Sequence, residues 1–503
     1  MRQGVAPVRA AGRACVVILI LTAGAVKGQT PPIHPPAASP PAPTPTASGP
    51  KLPISLADAV FIGLRDNRTV KSAYLARVSE KFDLYVARSR FQPTAVLNAG
   101  VEDSRNSGVN GLTTTIAPTV SWLVPTGAQF QFSWTRSDFN SGGVDQGTDV
   151  AQLSVTQPLL KGAGIKVNTA PVRVAELQER IAQLSLKSTV IDAVSNIIAA
   201  YRALLEAQQQ LVIAHDSLER SREQLATNQA MVDAGRMAAA ELLQTQSDIA
   251  NQRVALLEAE QSRNSAQLAL LRLLAMDLHT DIVGADPITV EHIPIDLDRA
   301  IAMAIDNRPD YLSQKHALEQ ARLNLTVAKN ARLWNLSAVG SIQRETVRGG
   351  LAPIDPATGL PVNTSGTNAS VGLELSIPIG DHTLAQGEIQ ATTTVRTGEV
   401  QLDDLRQQIE AQVRDAVQGF ELTWRRVEAA RQARDLARRT LELEREKLQA
   451  GRASNFEVLS FETSLRAADT QALDAEIAYL NAITGLDQQL GTTLDTWKIS
   501  LNP

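Results

Sequence analysis

Apolar residues recur along this chain at two different spacings, which divide it into helical and extended stretches. From Val190 they return every seven positions, at Ile197, Leu204, Leu211, Leu218, Leu225 and Val232. A heptad held that long predicts one helix over 172–233 that supercoils left-handedly with its neighbours. Val413, Phe420, Val427, Leu441 and Leu448 repeat the spacing in a second long helix over 386–449, interrupted by Arg434. Gln208, His215, Arg222 and Gln229 lie between the seam positions, so the apolar stripe is narrower than a globular core requires. That predicts helices laid side by side in a single curved layer with one wet face. The first long helix would measure about 90 Å at 1.5 Å per residue.

Elsewhere the period falls to two. Ala95, Leu97, Ala99 and Val101 alternate with other residues, as do Val120, Trp122 and Val124, then Phe130, Phe132 and Trp134, then Ala151, Leu153 and Val155. Leu336, Ala338 and Ile342 continue the pattern, as do Val371, Leu373, Leu375 and Ile377. Such one-sided segments suit membrane-barrel strands and soluble antiparallel sheets alike. Their context favours the barrel, because polar Gly/Asn/Ser-rich loops join them at one end and long helices take over at the other. Six strands are too few to enclose a wide lumen, so the sheet edges must be satisfied by other copies of the chain.

The pattern is one unit written twice. A shift of 241 places Leu56-Ala57-Asp58-Ala59-Val60 on Leu297-Asp298-Arg299-Ala300-Ile301, and a shift of 216 places Ala234-Gly235-Arg236 on Ala450-Gly451-Arg452. The first repeat is expected over 54–276, with helix 56–90, strands 94–159, long helix 172–233 and helix 237–276. A linker over 277–296 leads to the second repeat over 297–491, with helix 297–332, strands 335–377, long helix 386–449 and helix 454–491. A tail follows over 492–503. Each Gly in the two Ala-Gly-Arg triplets stands where a helix ends in a left-handed turn.

The beginning of the chain reads as an export signal. Arg2, Arg9 and Arg13 precede an uncharged run from Ala14 to Val26, and small residues follow, which predicts a signal peptide over 1–28. Ten prolines between 31 and 53 predict a disordered tether over 29–53. Cys15 is the sole cysteine and lies at the start of the apolar run; this excludes disulfides and predicts no lipid anchor. No later apolar run reaches the length of a membrane-spanning helix.

Composition narrows the function further. The net charge is −5, and the leader carries four of the cations without an acid, so the body is acidic and offers no electrostatic footing for nucleic acid. The six histidines are never closer than 13 residues apart, so no metal site is expected. No P-loop, GxSxG elbow or HExxH motif occurs, and Gly162-Ala163-Gly164 lacks the rest of a dinucleotide fingerprint. No enzyme and no cofactor are expected.

Six segments taken together resemble the TolC-like outer-membrane efflux protein family. They are the helix openings LADAVFIGLRDN and LDRAIAMAIDNRPD, the strand ends LSVTQPLLKGAG and LELSIPIGD, and the tips DAGRMAAAELL and QAGRASNFEVL. The resemblance covers about 52–494. It implies an α+β membrane protein: a trimeric outer-membrane β-barrel continued by a long periplasmic α-helical barrel, with an equatorial belt formed by the linker and the tail. It implies a passive exit duct of a tripartite efflux or type I secretion system, working with a periplasmic adaptor and an inner-membrane pump. Gly235, Arg236, Gly451 and Arg452 would form the tip turns that meet the adaptor. Glu241, Gln244, Glu457 and Ser460 would line the aperture, although the two glutamates also suit first-turn acids facing a helix dipole. Trp122, Phe130, Phe132 and Trp134 would face lipid, or pack in an ordinary core. An extra hairpin over 115–137 has no counterpart in the second repeat. If it joins the barrel the trimer has eighteen strands, and otherwise twelve. The alternative function is a secreted coiled-coil scaffold or adhesin.

Overall fold

The computed structural model describes residues 51–106, 109–350, 354–359 and 362–501. The expected signal peptide, and all but the last three residues of the Pro-rich segment, lie outside them. β1 (Leu52–Ile54) leads into α1 (Leu56–Asp66) and α2 (Arg68–Ser89), and four strands follow: β2 (Thr94–Asn106), β3 (Val109–Leu123), β4 (Gln129–Ser141) and β5 (Val144–Pro158). A short α3 (Ile165–Asn168) precedes the long α4 (Ala170–Asp233), and α5 (Ala240–Leu274) folds back along it. After β6 (Ile282–Gly284) come α6 (Leu297–Asn307), α7 (Pro309–Ala331), β7 (Asn335–Gly349) and β8 (Thr364–Ser376). The long α8 (Thr383–Gln449), its partner α9 (Asn455–Leu490) and a one-turn α10 (Thr493–Thr496) complete the chain.

Three expectations are corrected. The helix over 56–90 is two helices, because Asn67 leaves the helical region and its Oδ1 accepts from the N–H groups of Thr69 (2.8 Å) and Val70 (3.3 Å), starting a new helix. The helix over 297–332 breaks at the matching position. Pro309 has no N–H to continue α6 and holds Arg308 extended. The tether expected through residue 53 ends earlier. Leu52 N donates to Asp281 O at 2.8 Å and Ala285 N donates to Ile54 O at 3.0 Å, so β1 pairs in parallel with β6 from the linker.

The six long strands form one antiparallel sheet in the order β2-β3-β4-β5-β7-β8. The hairpin peculiar to the first repeat, β3–β4, therefore lies within the sheet. One row of directly opposed residues runs Ala95, Val120, Phe132, Leu153, Ile342, Ala369. The neighbouring row runs Thr94, Ser121, Gln131, Ser154, Ser341, Ser370. Opposed residues share a face and adjacent rows alternate. Near the helices the sheet is thus apolar on one side and polar on the other. Among the described residues, its edges, β2 and β8, have no further partner strand.

Below the sheet the helices form a layer in which α4 packs against α2 and α7, and α7 packs against α8. Further down, α5 and α9 flank α4, and α9 also lies against α8. The main core gathers Val190, Ile197, Tyr201, Leu204, Leu270 and Leu274 with Ile54, Val60, Ile282 and Leu494, while Trp497 and Leu501 of the tail cover it. The second repeat buries its heptad seam at Val413, Phe420, Val427, Leu441 and Leu448. One stretch of α4 is long and apolar enough to cross a membrane, contrary to the reading of apolar runs, but 56% of it is buried in this core. It is a core helix.

Candidate functional site

The tips are built by two equivalent turns. Arg236 N donates to Met231 O at 2.8 Å and Gly235 N to Val232 O at 2.9 Å; Arg452 N donates to Lys447 O at 2.8 Å and Gly451 N to Leu448 O at 2.9 Å. Both are Schellman closures, with the glycine left-handed at φ +70° and +72°. Nothing lies within 4 Å of where a side chain would start at either glycine, so backbone strain alone dictates the residue. The two tips touch. Arg236 Nη2 donates to Gln449 O at 2.9 Å, and all four turn residues face solvent apart from this bond.

The two re-entrant helices begin differently. Ser454 and Glu457 form a capping box on α9: the Glu457 carboxylate accepts from Ser454 N at 2.8 Å and Ser454 Oγ at 3.0 Å. Those bonds hold its carboxyl below the ordinary carboxylate range. α5 starts at Ala239 without a side-chain cap, so Glu241 stands in the first turn with its carboxylate free for the helix dipole. Gln244 and Ser460 are exposed one turn further on. Within the chain, Asn455 Nδ2 donates to Glu241 O at 3.4 Å, which brings the two helix starts side by side.

Immediately behind the tips lies a polar core that heptad reading misses. Asn228 Nδ2 donates to Asn455 Oδ1 at 2.7 Å and to Thr245 Oγ1 at 2.8 Å, and Gln224 Nε2 donates to Asn228 Oδ1 at 2.8 Å. Asn228 and Thr245 are wholly buried. Leu225 and Val232, the seam residues by spacing, are only half-buried here. One turn above, the buried Glu462 accepts from Arg220 Nε at 3.1 Å and also pairs with Arg445. Ser221 Oγ donates to Asp248 at 2.7 Å. Helices α4, α5, α8 and α9 all contribute.

At the opposite end, the apolar face of the sheet is bare. Trp122, Phe132 and Trp134 are exposed, Phe130 is half-covered, and Val371 is 94% exposed. The Trp122 ring stacks on Phe130 at 5.4 Å and its Nε1 donates to Phe91 O at 2.9 Å, where the strands meet the helices. An amphipathic indole at that level suits a membrane interface. Higher up, the same face carries Arg136, which pairs with Asp138 at 2.8 Å, and Arg348, which pairs with Asp149. The apolar zone ends at these ion pairs. An apolar surface of this extent needs lipid or protein to cover it.

Comparison with known proteins agrees with this division. The family model described as outer membrane efflux protein matches residues 64–276 and 300–492, one span in each repeat. No curated protein matches the chain in sequence. Among solved structures, the CmeC outer membrane channel of Campylobacter jejuni is 14% identical over 87% of this chain and 86% of that chain, with a TM-score of 0.65. The MtrE outer membrane channel of Neisseria gonorrhoeae, in its open state, is 17% identical over 87% of this chain and 89% of that chain, with a TM-score of 0.65. The outer membrane protein VceC of Vibrio cholerae is 16% identical over 87% of this chain and 96% of that chain, with a TM-score of 0.64.

Proposed function

This chain belongs to the outer membrane efflux protein family, and from that premise we propose a passive exit duct closed by three copies of the chain. The protein is an outer-membrane efflux channel with its helical part in the periplasm, and it catalyses no reaction. Both borders of its curved layer support self-closure. On one border stand β2 and α2, on the other β8 and α8, and among the described residues neither β2 nor β8 has a further partner strand. The observation that carries the proposal is the stripe Tyr74, Val78, Phe82 and Tyr85 along α2, exposed by 52–63%. These residues share one helix face, so a neighbouring copy's α8 would bury a continuous apolar seam.

Closure would give a β-barrel in lipid above an α-helical barrel, with the tips at the pump end. There the exposed turns at Gly235, Arg236, Gly451 and Arg452 would meet a periplasmic adaptor that couples the duct to an inner-membrane pump. Glu241, Gln244, Glu457 and Ser460 would ring the aperture, with the two glutamates supplying its charge. A secreted scaffold has no use for the bare apolar sheet face. The test is native mass and fractionation: the wild type is expected as a detergent-extracted outer-membrane trimer, and Phe82→Asp as monomers. Recovery of the wild type from the periplasm as a soluble monomer would reject the duct.

A further inference from the structure

The sheet topology points to a barrel of eighteen strands in which the β3–β4 hairpin is wall, giving a mouth as wide as the helical tube beneath it; this rests on the trimeric reading above. The hairpin is paired on both sides without a gap, β3 to β2 along its length and β4 to β5 from Gln129 to Ser141. It is also in phase. Val120 and Phe132 complete the apolar row, and Ser121 and Gln131 the polar row, that run through all six strands. A hairpin lying against the sheet would break both rows.

Its inner turn is tied into the junction with the helices. Gly164 N donates to Thr126 O at 3.1 Å, and Gly127 sits left-handed at φ +97°, where a Cβ would come 2.4 Å from Gly162 O. The six strands alternate in direction, so β8 of one copy and β2 of the next meet antiparallel. Each of these edge strands is 13 residues long, so they can pair along their full length. Edges that long and bare are the kind that seek a partner strand.

The circumferences agree as well. Eighteen strands about 4.8 Å apart and tilted about 40° enclose a ring about 36 Å across, and twelve strands a ring about 24 Å across. The layer supplies four helices per copy, α2, α4, α7 and α8, and twelve helices spaced 8–10 Å apart make a tube about 31–38 Å across. The eighteen-strand ring falls within that range at an ordinary tilt. The barrel then imposes no neck, and the narrowest point of the duct is left to the tips.

The experiment is a cross-section of the detergent-extracted trimer by electron microscopy, paired with exclusion of neutral polymers offered from the outer side. The wild type should show eighteen strands. Deleting 107–143 removes the hairpin and lets β2 turn directly into β5 at the same outer end, and it should reduce the accessible mouth area about twofold, since diameter follows strand number. Because that deletion can fail to assemble, two point variants accompany it. Phe132→Arg, on the apolar row, should be lost from the outer membrane, whereas Gln131→Arg, on the polar row, should assemble normally. A trimer with twelve strands and a detached hairpin, or equal assembly of both variants, overturns the inference and leaves the duct standing. A soluble monomer overturns the duct itself.

Discussion

Around Ile197 the helical bundle is filled with aliphatic and aromatic side chains, whereas about 46 Å further down the same helix, around Asn228, amides and hydroxyls join α4, α5 and α9 beside a smaller apolar cluster of Leu441, Leu448, Val458 and Leu465. The upper core has Val190, Ile197, Leu204, Leu270 and Leu274 in contact, and its polar handle is the Tyr201 hydroxyl, which donates to Asp286 at 2.7 Å. Burial and that carboxylate push the Tyr201 phenol up to about 12, so it stays a donor at any working pH. In the lower core Gln224, Asn228, Thr245 and Asn455 are hydrogen-bonded to one another across α4, α5 and α9, while the second long helix keeps its apolar seam at Leu441 and Leu448. Apolar burial stabilises in proportion to area and sets register weakly. A closed set of hydrogen bonds adds little net stability but is costly to leave half-made. The belt is therefore the anchor of the bundle, and the tip is the part whose register is specified and whose contacts water can replace.

Substitutions at the two levels test that contrast. Ile197→Ala should have the largest effect: the side chain is fully buried, and truncation at such a site costs about 2–5 kcal/mol. Chemical denaturation of the purified protein should show a clear fall in midpoint. A loss under 1 kcal/mol would mean the belt is not the anchor. Glu462→Ala comes next, since it strands Arg220 and Arg445 on either side of a buried site. Breaking a buried pair costs about 3–5 kcal/mol, and we expect about 2 kcal/mol here because both arginines keep partial access to water. The signature should be local. Amide exchange should accelerate in 215–250 and 440–470 and stay unchanged around Ile197.

Gly451→Ala should be smaller still, about 1–2 kcal/mol, because the left-handed backbone is strained for any side chain and nothing else crowds it. Its effect belongs to the tip alone. Faster proteolysis at the α8–α9 turn with an unchanged global midpoint is the expected pair of results. If the global midpoint moves by the same amount, tip and belt are one cooperative unit and the contrast fails.

Much of this was legible in the sequence, and the exceptions share a cause. Period-two and period-seven spacings report which face a residue shows, and they located the sheet and the long helices. Gly235 and Gly451 were legible because a left-handed turn admits few other residues. Asn228 and Asn455 were not, because each reads alone as a polar residue on a helix. Their worth lies in a partner more than two hundred positions away. The same holds for β1 and β6, three residues each and meaningful only as a pair. The helix breaks at Asn67 and Arg308 did carry signals, a capping amide and a proline, that the continuous apolar pattern overrode. Glu457 was legible as a first-turn acid of α9, and its bonds to Ser454 add a capping box to that reading.

Acidification should separate the two levels by the smallest but most diagnostic margin. Burial pushes the carboxyls of Glu206, Asp469 and Asp487 up, and Asp474 beside Glu206 adds to its shift. A carboxyl whose folded value is raised contributes stability that is fully present below its ordinary value and lost as pH rises through the raised one. The middle and upper bundle should therefore gain protection as pH falls through the raised values toward the ordinary ones, 4.5 for Glu206 and 3.8 for Asp469 and Asp487. Glu457 behaves oppositely: its folded value is lowered by the cap, so its contribution is present above 4.5 and lost as pH falls below that through the lowered value. Segment-resolved hydrogen exchange, corrected for the intrinsic rate, should show slower exchange around Glu206 and Asp487 as pH falls toward 4.5, with no change at 454–460. Below 4.5 the order should reverse, with the α9 start loosening first. Equal responses at both levels would mean that the buried acids are compensated by their neighbours, Arg220, Arg434 and Arg438 around Asp469 foremost among them, and that charge burial does not distinguish the anchor from the tip.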